Sequence, residues 1–159
     1  MKRLVVVLFV LLTGCGYSAK PLLKSGVRTV YVPVFDNKTF RREIEFQLTE
    51  AVKNEILYKT DLKIVPKEKA DSILEGEIVD FRERVLTEDS HDNAEEVRVF
   101  VYVNVRWRDL RTGRTLMSQE RITAPTEFYI PKGETVRTAT AESFRDLAEL
   151  IVNLMEEEW

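Results

Sequence analysis

The chain has 159 residues, 24 basic against 27 acidic for a formal charge of -3, and a single cysteine. That length suits one core, the acidic balance argues against nucleic acid as a partner, and one thiol excludes an intramolecular disulfide. No internal repeat or low-complexity tract interrupts it.

Lys2 and Arg3 precede an apolar run from Leu4 to Leu12, the charged and apolar regions of a secretory signal. A membrane-spanning helix needs roughly 20 apolar residues, and this run stops well short of that. It closes on Leu12-Thr13-Gly14-Cys15, similar to the lipobox of bacterial lipoproteins. The expectation is a signal peptide over 1–14, lipid on Cys15, a short tether over 15–26 and one domain over 27–159. Each buried CH₂ contributes about 0.8 kcal/mol, so two or three acyl chains anchor durably where one does not. Gly16 follows the cysteine, not the aspartate that holds many lipoproteins at the inner membrane, so delivery to the outer membrane is expected.

In the domain, Val30, Val32 and Val34 fall on one parity and Tyr31, Pro33 and Phe35 on the other, which reads as a strand over Val27 to Phe35. Pro33 cannot donate to a ladder and suits an edge or a bulge. Asp36-Asn37-Lys38-Thr39 supplies turn chemistry, with Asn37 or Thr39 placed to cap a helix. Phe40, Ile44, Leu48, Ala51, Val52 and Ile56 recur at helical spacing, predicting an amphipathic helix to about Tyr58. Leu62 to Val65 reads as a second strand, parallel to the first through a right-handed crossover.

Ile73 to Leu86 and Val97 to Trp107 predict a hairpin joined by the polar loop Thr87 to Ala94. The turn Asp109 to Arg114 leads to a strand around Thr115 to Ala124, and Phe144, Leu147, Ala148, Ile151, Val152 and Met155 mark a second amphipathic helix. The fold class is therefore α+β, with two amphipathic helices on one face of a mixed four- to five-stranded sheet, in the order β-α-β-β-β-β-α. The other face is left open. Along Val97 to Arg108 the odd positions are apolar, whereas the even ones are Arg98, Phe100, Tyr102, Asn104, Arg106 and Arg108. In the preceding strand Leu74 and Ile78 share one parity and Val79, Phe81 and Val85 the other, which a bulge near Val79-Asp80 would reconcile.

Cys15-Gly16-Tyr17, the segment Val30-Tyr31-Val32-Pro33-Val34-Phe35-Asp36-Asn37-Lys38-Thr39, the segment Ala70-Asp71-Ser72-Ile73-Leu74-Glu75-Gly76 and a C-terminal helix ending in Trp159 together resemble the lipopolysaccharide-assembly lipoprotein family, LptE. The Pro-Val-Phe segment also resembles the opening of other periplasmic α/β domains, including the amino-terminal domain of the Tol-system β-propeller protein. The LptE resemblance implies a two-helix, mixed-sheet domain that plugs a large outer-membrane β-barrel, LptD, and helps deliver lipopolysaccharide to the outer leaflet.

Enzyme chemistry finds little support. Nucleophilic catalysis wants a base held by an acid, and the one histidine, His91, sits in a polar loop beside Glu88, Asp89 and Asp92. That cluster has no second histidine or cysteine for a transition metal and no glycine-spaced calcium loop. Glu75 and Glu77 share a strand face, more often a solvated face than a glycosidase pair. No glycine-rich phosphate loop is present. No enzyme activity, metal or cofactor is expected, apart from the covalent lipid on Cys15.

Lipopolysaccharide carries phosphates and acyl chains together, and arginine beside an aromatic ring suits both. Arg98, Phe100, Tyr102, Arg106 and Arg108 are therefore the candidate contacts with lipopolysaccharide or the barrel, set against a plain solvated face. Two other adaptor roles fit an anchored α/β domain: an activator of a peptidoglycan synthase, and a secretion-channel pilotin. The short tether keeps the domain close to its membrane and favours a barrel partner.

Overall fold

The structure is a computed structural model that describes residues 26–156. The signal, Cys15, the tether up to Ser25 and Trp159 lie outside the described residues. The elements are β1 (Thr29–Tyr31), β2 (Asp36–Asn37), α1 (Ile44–Lys59), β3 (Lys63–Ile64), β4 (Ser72–Glu88), β5 (Ala94–Asp109), β6 (Thr115–Ile122), β7 (Thr126–Tyr129) and α2 (Val136–Glu156). They form an α+β fold on a mixed sheet ordered β3-β1-β4-β5-β6, with β2 also pairing β4 and β7 also pairing β5.

β3 pairs parallel to β1, as a strand-helix-strand unit requires. β4 and β5 form the long antiparallel hairpin, and their register shifts between Ile78 and Asp80. Val79 is the extra residue. One inserted residue moves Phe81 and Val85 onto the face already held by Leu74 and Ile78, so the two parities of that strand belong to one side of the sheet.

Three details depart from the sequence expectations. The strand over Val27 to Phe35 survives only as β1; past Pro33 the parity inverts, so that Val34 is 47% exposed and Phe35 is buried. Phe40 lies ahead of α1 and is fully exposed, because the helix begins at Ile44 with a left-handed residue, Glu43, as its cap. Asn37 and Thr39 do not cap it: Asn37 Oδ1 accepts from the Thr39 N–H at 2.9 Å, and Asn37 Nδ2 donates to the Glu45 carboxylate at 2.8 Å. Their local hydrogen bonds hold a turn instead. Finally, the last sheet position is filled by two strands, since Pro125 has no donor and interrupts pairing; β6 runs beside Val103–Arg108 and β7 beside Glu96–Val99.

One apolar cluster joins the buried faces of both helices to the sheet. Leu48, Val52 and Ile56 of α1 and Phe144, Leu147, Ile151 and Val152 of α2 pack with Val97, Val99, Val101, Val103, Val105 and Trp107 of β5. Burial of these side chains, each contributing about 1.5 to 3 kcal/mol, drives the two-layer arrangement. α1 also leaves Phe46, Leu57 and Tyr58 exposed on its outer side. Two buried polar side chains pair in series: the Trp107 Nε1–H donates to Ser72 Oγ at 3.0 Å, and that hydroxyl donates to the Thr29 carbonyl at 3.0 Å. The chain of bonds ties β5, β4 and β1 together at one end of the sheet.

Candidate functional site

Because both helices lie on one side of the sheet, the even-numbered residues of β5 face the uncovered side. Arg98, Phe100, Tyr102, Asn104 and Arg108 are part-exposed there and Arg106 is exposed. The ladder sets Arg84 opposite Arg98, Arg82 opposite Phe100, Asp80 opposite Tyr102, Glu77 opposite Asn104, Glu75 opposite Arg106 and Ile73 opposite Arg108. The face thereby divides into two halves of different chemistry.

The half nearer the hairpin tip is aromatic and cationic. The Phe100 and Tyr102 rings stack with centroids 6.3 Å apart and 6° between their planes. Arg121 stands 4.6 Å from the Tyr102 ring, Arg82 5.9 Å from the same ring and Arg84 6.0 Å from Phe100. Guanidinium groups over aromatic rings gain from the ring quadrupole, and those of their N–H donors that no carboxylate takes can meet an anion. Asp80 sits between two of them, 2.7 Å from Arg82 and 3.6 Å from Arg121. The Arg82 hydrogen bond holds its carboxyl below the usual carboxylate range, and Arg121 adds to the effect against a desolvation that opposes it. Arg98 pairs with Glu127, its neighbour on β7.

The other half is a polar groove of about 460 Å³, lined among others by Glu75, Glu77, Asn104, Arg106, Gln119 and Glu120. Arg108 is spent on Glu75 at 3.3 Å, and Lys38 reaches Glu77 at 3.4 Å. Arg106 makes no ion pair among the described residues. The five candidate residues thus share a face but not a role, with Phe100 and Tyr102 as the aromatic centre, Arg98 and Arg108 paired internally, and Arg106 over a largely acidic groove.

The sequence reading missed Arg82, Arg84 and Arg121. Arg82 and Arg84 carried a signal, since with the Val79 bulge in place they fall on the open face with Asp80. Arg121 carried none: it reaches Tyr102 because its own backbone takes a left-handed turn, φ 52°, while its N–H donates to Asn104 Oδ1 at 2.9 Å. His91 is an exposed loop residue, and Asp89 beside it works as a turn former, accepting from the N–H groups of His91 at 2.7 Å and Asn93 at 2.9 Å. The Asn93 side chain first, and then those backbone bonds, hold the Asp89 carboxyl low.

Solved structures share this fold at low identity, three of them as follows. The Chlamydia trachomatis protein CT253 superposes with a TM-score of 0.58 at 11% identity, covering 82% of this chain and 96% of that one. Lipoprotein B of Nitrosomonas europaea gives 0.56 at 18%, covering 79% and 80%, and the rare lipoprotein B of Shewanella oneidensis 0.52 at 15%, covering 80% and 93%. No curated protein matches by sequence. The model of the lipopolysaccharide-assembly family, LptE, matches residues 27–155, nearly the whole domain, and this chain belongs to that family.

Proposed function

We propose that the chain is an outer-membrane lipoprotein, anchored through Cys15, that plugs the LptD β-barrel and helps pass lipopolysaccharide to the outer leaflet, contacting the barrel or the lipopolysaccharide through its open sheet face. The observation that carries this reading is the stacked Phe100–Tyr102 pair with Arg82, Arg84 and Arg121 around it on an uncovered surface. Phosphate would take the guanidinium donors, and acyl or sugar carbons the ring faces. A polar, aromatic-rich interior of a barrel would use the same groups.

The test is a variant combining Phe100→Ala with Arg121→Glu, expressed as the full precursor. The expected protein is folded and lipidated, recovers less of the large β-barrel from detergent-solubilised outer membranes, and binds immobilised lipopolysaccharide less well. Undiminished recovery and binding would remove the open face from the contact. Depletion of the wild-type protein should lower surface lipopolysaccharide and admit large antibiotics; an intact barrier with altered cell-wall synthesis would instead support the peptidoglycan-synthase adaptor.

A further inference from the structure

β4 is longer than the strands that cover its outer edge. β5 pairs along one side of it. On the other side β1 pairs at Ser72 and Ile73 and β2 at Glu77 and Ile78, and the last bond there runs from the Lys38 N–H to the Ile78 carbonyl, 2.9 Å. Among the described residues no strand pairs with this edge from Asp80 to Glu88. An antiparallel neighbour engages the backbone groups of alternate residues only, so the remaining N–H and C=O groups of this stretch point away from β5. β5 itself is flanked on both sides, by β4 and by β6 with β7.

The space beside the free edge has a definite chemistry on each side. On the helix side a groove of about 260 Å³ lies between Phe81 and the first turns of both helices, with Ile44 and Val136 in its wall and Arg41 and Arg137 among its polar lining. The Arg41 guanidinium lies 4.1 Å from the Phe81 ring and pairs with Glu83. Val85 continues the same face and is 46% exposed. Their partners across the ladder, Val101 and Val97, are buried, so the apolar layer stops one strand short. On the open side stand Arg82 and Arg84. Four arginines therefore flank this edge against Asp80, Glu83 and Glu88, on a chain whose net charge is -3.

We propose that the β4 edge from Asp80 to Leu86 is a β-augmentation site for an extended segment of a partner protein, its apolar side chains toward Phe81 and Val85 and its acidic ones toward Arg82 and Arg84. Main-chain bonds supply affinity in such a mode, and the alternate side chains supply specificity. The arginines repel a basic strand and favour an acidic one. A second copy of this chain fits less well: the antiparallel register that sets Phe81 opposite Val85 also sets Arg82 against Arg84 and Glu83 against itself. The proposal shares Arg82 and Arg84 with the open-face contact but does not require lipopolysaccharide, which the peptide test leaves out.

The test uses the full lipidated chain in detergent and two synthetic peptides, one alternating valine with glutamate and the other valine with lysine. Amide hydrogen exchange is followed by mass spectrometry. The glutamate peptide should slow exchange within Asp80–Glu88 roughly tenfold or more, measured against the same segment without peptide, and the lysine peptide should not. Arg82→Glu combined with Arg84→Glu should reverse that preference; if this variant melts abnormally, the wild-type comparison of the two peptides decides alone. Failure of the glutamate peptide to protect the segment, protection confined to Thr115–Ile122, or equal protection by both peptides would overturn the proposal. So would protection that grows with protein concentration in the absence of peptide, which would assign the edge to a second copy.

Discussion

Arg84 lies directly opposite Arg98 across the β4–β5 ladder, with both residues on the uncovered side of the sheet. Like charges in such a pair oppose folding. Glu127 neutralises Arg98, but Arg84 has no ion-pair partner among the described residues, and its contact with the Phe100 ring at 6.0 Å is a weak offset to the like charge opposite. Arg84→Glu should leave the isolated domain as stable as the wild type or raise its stability by about 0.2 to 1 kcal/mol in denaturant melts. The same variant should lower recovery of the barrel or of lipopolysaccharide. A clear loss of stability would show that Arg84 serves the fold.

Gly76 stands in β4 because Phe35 occupies the space a side chain would need. A Cβ built at Gly76 overlaps the Phe35 ring, and that ring is buried, with the Phe35 N–H donating to Thr49 Oγ1 of α1 at 3.0 Å. Glycine inside a strand ordinarily costs stability relative to alanine. Here Gly76→Ala should instead destabilise by about 1 to 3 kcal/mol through overpacking. Adding Phe35→Leu should recover part of that loss, which a double-mutant cycle on chemical denaturation would read directly.

Asp71 should give the domain an acid-sensitive joint between β1 and β4. Its carboxyl is held low first by hydrogen bonding with Thr29 and then by the Arg28 N–H, with the Arg111 charge behind them; the two N–H groups lie 3.2 Å from Oδ2. A carboxylate with a depressed native pKa contributes its full stabilisation above the unfolded value and loses it as pH falls through the native one. Stability should therefore decline below the ordinary value of 3.8, and Asp71→Asn should flatten that part of the profile. Melting temperature followed from neutral pH into acid would check both the sign and the window.

Cys15→Ala should abolish lipid attachment and leave the precursor uncut. Cells labelled with radioactive palmitate should show the label on the wild-type band alone, and equal label on both would end the lipoprotein assignment.

The elements and the face they expose were legible in the chain because local periodicity writes them. Six consecutive odd positions of β5 are apolar, a half-buried strand has period two, and each of them is buried. The conflict between Leu74 with Ile78 and Phe81 with Val85 marked the Val79 bulge on the same grounds. Local chemistry misled where two local solutions competed: Asn37 and Thr39 satisfy one another and Glu45 instead of the helix, which leaves Phe40 outside it.

What the tertiary structure alone decided is which charges are free. Alternation placed Arg98, Arg106 and Arg108 on one face, yet Glu127 and Glu75, brought alongside from β7 and β4, take up the first and the last. Arg121 joined Tyr102 only through a backbone turn at the end of β6, and the bare edge of β4 exists because β2 ends at Asn37. Ion pairing, cation–π contact and edge exposure depend on which segments become neighbours across a sheet. Residue spacing within one strand carries no record of that.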